Sequence, residues 1–432
     1  MKAGVDVGPT NTDAALLDDA GTVLATVKVA SVPDAPVASV RAALERLPAA
    51  ELTQVAVGLR GSATSVTRRR ELRRVAVLRI SGDSARAVRP LFGWPSDLRE
   101  AVLAGAEIVD GGGGLERDDW TPLDRAAVSR FAASMAGTAE AFAVTGLFSP
   151  LDAEQEHEAA ELIRAEARHL PIALSSDLGS LGLLERENAT VLDAALSGFA
   201  AGVAGGLAAL CPGAAVFVTR GDGTLMSLEH LSRHPGLSLG SGAASVLRGA
   251  GALTGLEDAV VADVGARRVR VGVLAGGFPE EAVGGAHLGG VPVGFRIPGL
   301  IKVARPVDDA ELAEAVDRLQ PGADRLPLVV VGGGAQAVPQ GIHPEHGLAA
   351  GAIGAAVSPV GGHYERIVRL PDSAGLAPAM DAVMEEARAA AVRAGADPRQ
   401  TVILEADDTP LAYLPGPFVK LRARAAGPPS RW

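Results

Sequence analysis

Two short apolar strands, each ending in Asp-x-Gly, restrict what this chain can fold into more than any other feature. The first is Val5-Asp6-Val7-Gly8-Pro9-Thr10-Asn11-Thr12-Asp13. The second is Val260-Val261-Ala262-Asp263-Val264-Gly265, with Val269 to Leu274 as its return strand. Each reads as strand, tight turn and antiparallel strand. In the first, Asp6 closes an apolar run and Gly8 permits close backbone approach. Thr10, Asn11 and Thr12 then offer short donors before Asp13 closes the turn. Such a set suits a phosphate, and an Asp beside it suits Mg²⁺, which keeps much of its hydration shell. A polar hairpin turn accounts for the same residues locally. Pro9 fixes its own backbone and removes one amide donor.

Between and after these turns, strands alternate with helices, the pattern of a wound α/β sheet. Val55 to Leu59, Val75 to Ile80, Phe142 to Gly146 and Ile172 to Leu174 read as strands. Ala38 to Leu47, Leu123 to Met135, Asp152 to Glu166 and Ala189 to Leu210 read as helices. Arg60-Gly61-Ser62-Ala63-Thr64-Ser65 reads as a small-residue loop, and Asp110 to Gly114 as a connector, since no helix follows directly. Ala215 to Thr219 reads as the start of a second α/β unit, which also holds Pro327 to Val331. The expected division is 1–188 as an N-terminal lobe, 189–372 as a second lobe and 373–432 as a helix-plus-strands segment. Two such turns facing each other across a cleft can hold one nucleotide from both sides. Gly332, Gly333 and Gly334 can lie flat against its base or ribose.

Composition removes several function classes. The 432 residues carry a net charge of -11, which argues against non-specific nucleic-acid binding. The one basic cluster, Arg68 to Arg74, reads as a solvated helix face or a site greeting an anionic substrate. No apolar run reads as long enough to span a membrane, and no signal peptide is visible. The lone Cys211 precludes an intrachain disulfide and suits the cytoplasm, where it reads as a small buried hydrophobe. No Ser-His-Asp or Cys-His arrangement is evident. His343-Pro344-Glu345-His346 reads as a loop. His157 reads as solvent-facing among Glu154, Glu156 and Glu158. His230 and His234 are substrate-contact candidates, and His287 and His363 have no partner visible in sequence.

The sequence resembles the hydantoinase A/oxoprolinase family, of the actin-like ATPase, sugar-kinase and Hsp70 superfamily. The resemblance rests on Val5 to Asp13, Glu185 to Leu192, Phe217 to Ser227, Leu239 to Asp258, Asp263 to Leu274, Leu328 to Gly334 and Pro410 to Gly416. It implies a two-lobed actin-like ATPase (ribonuclease H-like) α/β fold with a nucleotide cleft between the lobes. It further implies ATP, Mg²⁺ and a small-molecule substrate, a cyclic amide such as a hydantoin or lactam, opened after phosphorylation of its carbonyl oxygen. Asp6 and Asp263 would then be the catalytic and metal-holding carboxylates. Gly8, Thr10, Asn11, Thr12, Asp13, Gly265 and Gly332 to Gly334 would bind the nucleotide.

The departures from the family pattern are specific. Where relatives carry hydroxyls and a second carboxylate after Asp263, this chain has Ala266-Arg267-Arg268-Val269-Arg270. Arginine can pair with phosphate but cannot hold Mg²⁺. The segment after Leu300 is short, as if part of the second lobe were deleted. Ser176 and the 60–65 loop lack histidines that relatives carry. Three readings follow: an ATP-dependent cyclic amide hydrolase, a non-catalytic member acting as a partner subunit, or a small-molecule kinase. Either a homo-oligomer or a second subunit is compatible with them.

Overall fold

A computed structural model describes the chain except residues 49–50, 60, 83–84, 114–119, 180, 283–284, 323, 371–374, 415 and 431–432. Arg60, Gly114, Pro415 and the expected boundary at 373 therefore lie outside the described residues.

β1 (Lys2–Val7), β2 (Asn11–Leu17) and β3 (Val23–Ala30) form an antiparallel meander. The helix Pro36–Leu44 then crosses over, so that β4 (Gln54–Leu59) lies parallel to β1 with Asp6 opposite Gly58. All six residues of β4 are buried, as expected of a parallel strand covered on both faces. The helix Gly61–Arg68 follows where a loop was expected. Ser62, Ser65 and Val66 bury one stripe of it, so tertiary packing overrides the weak helix propensity of Gly, Ser and Thr.

β5 (Val75–Ile80), β6 (Leu103–Val109), β7 (Ala141–Gly146) and β8 (Ile172–Leu174) make a separate parallel sheet in the order β6-β5-β7-β8. The 28-residue helix Leu183–Leu210 leads back from it. By length and composition this helix could cross a membrane, contrary to the reading of apolar runs above. Its polar residues explain why that reading missed it. Arg186, Glu187, Asn188, Thr190 and Asp193 are all buried within it, and 61% of its most apolar window is covered by the rest of the protein. β9 (Ala215–Thr219) joins β4 in parallel and β10 (Leu225–Ser227) turns back along β9. Ala215–Thr219 thus extends the first sheet.

The second lobe repeats the order of the first. β11 (Ala259–Val264) and β12 (Arg268–Ala275) are antiparallel; β13 (Phe278–Pro279) caps β12, and β14 (Ala286–Leu288) pairs with β15 (Val291–Val293) outside. β16 (Leu300–Ala304) lies antiparallel to β12, the helix Asp309–Arg318 crosses over, and β17 (Leu328–Val331) is parallel to β11. This is the meander–helix–parallel strand order of β1 to β4, so the short segment after Leu300 still supplies the third strand. β18 (Val360–Arg369), β19 (Val402–Pro410) and β20 (Phe418–Gly427) return to the first sheet. Its nine strands run β19-β20-β18-β10-β9-β4-β1-β2-β3 and draw on all three stretches of the division expected from sequence.

Where the lobes meet, backbone comes close to backbone. The helices Ser241–Thr254 and Ala350–Val357 cross so closely that a Cβ on Gly249 would lie 1.8 Å from the Ala350 carbonyl oxygen. A Cβ on Gly4 of β1 would lie 1.9 Å from that of Ala352. These small residues explain how so few aromatic side chains (3% of the chain) suffice, since layers this close need no bulky filling.

Asp193, in the long helix, is 1% exposed and accepts a hydrogen bond from the Gly236 amide at 2.7 Å. Burial pushes its carboxyl up to about 8. Its folded value lies above its unfolded one, so the native state holds an extra proton between about pH 4 and 8 and loses stability as pH rises through that window. Asp193→Asn keeps the acceptor and removes the ionisation. Its melting temperature is expected to exceed wild type by about 2–4 °C at pH 8.5 and to match it near pH 4; equal gains at both pH values would contradict this.

Candidate functional site

The two Asp-x-Gly turns are built alike, bond for bond. Gly8 donates to the Asn11 carbonyl at 3.0 Å, and Gly265 to the Arg268 carbonyl at 3.1 Å. The Gly8 carbonyl accepts from the Ser31 hydroxyl at 2.8 Å, and the Gly265 carbonyl from the Arg305 guanidinium at 2.8 Å. Register completes the match. Asp6 sits opposite Asp13, and Asp263 opposite Arg270. Position for position, therefore, an arginine in the second lobe replaces an aspartate in the first.

That exchange changes the electrostatics of each turn. In the first, Asp13 pairs with Lys28 on β3, while Asp6, only 6% exposed, stands between glycines. A Cβ on Gly58 would lie 3.1 Å from one Asp6 oxygen, and a Cβ on Gly351 would lie 2.6 Å from the other. Beside them the Thr219 hydroxyl is buried with no hydrogen-bond partner among the described residues. In the second turn Asp263 is ion-paired to Arg270. Gly332 holds φ +92°, and a Cβ there would lie 2.7 Å from an Asp263 oxygen; that positive φ favours glycine.

One intervening segment links the two turns through Gly332, which packs on Asp263. Gly332 donates to the Gly347 carbonyl at 3.0 Å, and four residues later Gly351 faces Asp6. Of the triple glycine, Gly332 and Gly334 press on the end of β11, whereas Gly333 has nothing within 4 Å of a Cβ position. Thr10 and Asn11 are exposed. Thr12 is fully buried, its hydroxyl 2.9 Å from that of Ser31, so it braces β3 from within the turn. Sequence reading missed Gly58, Thr219 and Gly351. A glycine or threonine at the end of a buried strand or the start of a helix carries no local mark of what it faces.

Behind Thr219 runs a buried charged layer. Arg220 donates to the Gly361 carbonyl at 2.5 Å and stands 3.4 Å from Asp222. Burial alone would raise the Asp222 carboxyl, but Arg220, Arg424 and the Thr224 donors outweigh it and hold it below the ordinary range. Arg248 and Arg424 lie near the Phe278 ring, 4.4 and 5.0 Å from its centroid. Burial, with Arg424 adding repulsion, lowers Arg248 to about 10. His363, partnerless in sequence, contacts Arg296, and burial first, then Arg296, keep it well below its ordinary value. The rings of His230 and His234 pack at a tilt with centroids 4.8 Å apart, and burial brings His234 down to about 4. His346 adopts a left-handed backbone at φ +63° next to Glu345. Burial raises the thiol of the half-buried Cys211.

With the geometry in place, the comparisons are informative. Residues 2–167 match the model of the hydantoinase/oxoprolinase N-terminal region. No curated protein matches the chain. Among solved structures, an ATP-dependent caprolactamase from Pseudomonas jessenii is 15% identical, with a TM-score of 0.72, covering 100% of this chain and 88% of that one. A nucleotide-free acetone carboxylase, solved in a study of ATP-dependent acetone carboxylation, is 13% identical with a TM-score of 0.68 and the same coverage. At these identities the likeness establishes the fold, a two-lobed α/β architecture of the actin-like ATPase type. The residue-level site rests on the geometry above.

Proposed function

We propose that this hydantoinase/oxoprolinase-type chain is an ATP-dependent enzyme that opens a cyclic amide. The observation carrying the proposal is the pair of equivalent turns, one presenting a glycine-walled Asp6 and the other Arg270, linked through Gly332 on Asp263, its bond to Gly347, and Gly351 on Asp6. The names of the two structural neighbours, both ATP-dependent and one acting on a lactam, support the substrate class.

In this reading Asp6, with Asp13 close by, orients a hydrated Mg²⁺. One or two carboxylates suffice for that ion, which keeps most of its water. Thr10 and Asn11 face the phosphates, Gly8 and Gly265 let the backbone approach them closely, and Gly332 to Gly334 receive the adenosine. Thr12 acts through Ser31. Asp263, already paired, serves by aiming Arg270 at the phosphates, where a guanidinium neutralises charge bidentately. ATP supplies the phosphoryl group: the amide oxygen attacks the γ-phosphorus and ADP leaves. Water then adds at the carbon and the ring C–N bond breaks, leaving an amine and an acyl phosphate; a second water releases the phosphate and leaves the carboxylate. Such transfer needs positioning and charge neutralisation more than a protein nucleophile. The single half-buried thiol supports a cytoplasmic location.

The test is ATP-dependent ring opening across a panel of hydantoins and lactams, with phosphate release and ring-opened product measured together. A stable phosphorylated product would identify a kinase instead. Arg270→Ala is expected to weaken ATP binding about 10-fold, or roughly 1.4 kcal/mol, by isothermal titration; unaltered affinity would exclude Arg270 from phosphate contact. The Asp263–Arg270 pair also favours a second reading, a partner subunit without turnover. Absence of any thermal shift with ATP and Mg²⁺ would select that reading.

A further inference from the structure

The nine-stranded sheet ends in two edges of unlike character. β19, at one edge, carries Glu405, Asp407 and Asp408 and closes on Pro410. Charges and proline are the usual means by which an edge strand turns other strands away. β3, at the opposite edge, lacks these defences. Its eight residues contain no proline and one charge, Lys28, which is already paired with Asp13. Its register with β2 is regular from Ala25 to Ala30 and shifts only before Ala25.

The β3 edge is also open. No described strand lies beyond it, and Leu24, Thr26, Lys28 and Ala30 are exposed. Ser31 donates to the Thr10 carbonyl at 3.0 Å, and bonded positions alternate along an antiparallel pair. The amides and carbonyls of Thr26, Lys28 and Ala30 therefore point away from β2. They form a row of backbone donors and acceptors suited to one more strand. Leu24 and Val32, 50% and 42% exposed, flank that row with apolar surface.

Charge indicates which strand that is. The chain carries a net charge of -11, so two copies repel over most of their surface. The β3 edge, with its one cation neutralised, is a place where they meet without that cost. Its two ends differ. The acidic turn Asp18-Asp19 lies before the strand, with Asp19 3.7 Å from the Met1 amino group. Beyond the other end, Arg68 stands 3.1 Å from Asp34. Strands paired across a two-fold axis run antiparallel, which sets the acidic turn of each copy toward the Arg68 end of the other.

We propose that β3 pairs with β3 of a second copy of this chain, antiparallel across a two-fold axis, so that the nine-stranded sheets of the two copies become continuous. Such a contact uses up the open edge on both copies and closes the assembly at two. It involves neither ATP nor the substrate, so it stands apart from the proposed reaction.

Sedimentation velocity of the full chain between about 1 and 100 µM tests it. Wild type is expected to shift from monomer toward dimer across that range. Thr26→Pro removes an outward amide at a position where an edge strand accommodates proline. Thr26→Glu instead adds a carboxylate to each copy near the axis. Each should weaken the dimer at least about 10-fold while keeping the wild-type circular dichroism spectrum. Thr409→Glu, on the β19 edge, should leave association unchanged. A wild type that stays monomeric throughout would overturn the proposal. So would a dimer that both Thr26 variants leave intact, or one that Thr409→Glu weakens equally.

Discussion

Asp6→Asn is expected to lower ATP turnover at least ~100-fold while shifting the melting temperature by no more than about 2 °C. The substitution keeps the shape of a side chain whose room is fixed on both sides. Gly58 and Gly351 wall it so closely that a single added carbon would touch the carboxylate. It removes only the charge, at the end of a strand locked into the sheet by β2 and β4. Loss of one preorganised electrostatic contact in a phosphoryl-transfer site amounts to about 3–4 kcal/mol of barrier. Asp263→Asn makes an instructive contrast. That carboxylate already faces Arg270, so its removal frees a guanidinium and is expected to cost no more than about 5-fold. Steady-state phosphate release on both variants decides the matter. Wild-type turnover in Asp6→Asn would remove Asp6 from the site, and equal losses in the two variants would mean that the lobes contribute symmetrically.

The strand-turn-strand units were legible because their signal is local. Alternation, a closing Asp-x-Gly and an antiparallel return are all contained within one short stretch in each lobe. The equivalence of Arg270 with Asp13 was also written in the sequence, since both lie seven positions after their lobe's Asp. It acquires meaning only when the paired register shows that Arg270 turns back onto Asp263. Sheet membership was less legible. Ala215–Thr219 looked like the start of a new unit, yet it continues the first sheet beside β4. The run Val360–Arg369 was not read as a strand at all, because Gly361, Gly362 and three charged residues break its pattern. Gly362 is there because a Cβ would lie 2.0 Å from the Ala391 amide of the helix packed over it. Of the charged residues, Glu365 joins the buried ionic layer beside Arg296 and opposite Arg422, while Arg366 and Arg369 are exposed. Long-range partners decide such positions, and no window of sequence contains them.

The largest loss of stability is expected at Gly354, in the helix Ala350–Val357. A Cβ there would lie 1.8 Å from the Ser245 carbonyl oxygen and 2.6 Å from the Gly249 amide nitrogen of the crossing helix. Both obstacles are backbone, so no rotamer change relieves the clash, and one helix must move off the other. Gly249 meets Ala350 in the same way, and β1 rests on Ala352 through Gly4, so displacement spreads to the strand that carries Asp6. Gly354→Ala is therefore expected to destabilise by about 4 kcal/mol or more, at the extreme of single substitutions, lowering the melting temperature by at least ~8 °C. Gly213→Ala supplies the control. It removes the same residue type where nothing lies within 4 Å of the new carbon, and its effect should stay within about 0.5 kcal/mol. Calorimetric melts of the two variants separate close helix contact from the general cost of replacing glycine. A small loss at Gly354 would mean that the two helices can part without disturbing the lobes. Asp6 would then owe its position to the β1–β4 pairing alone, and turnover in Gly354→Ala should survive unchanged below its melting point.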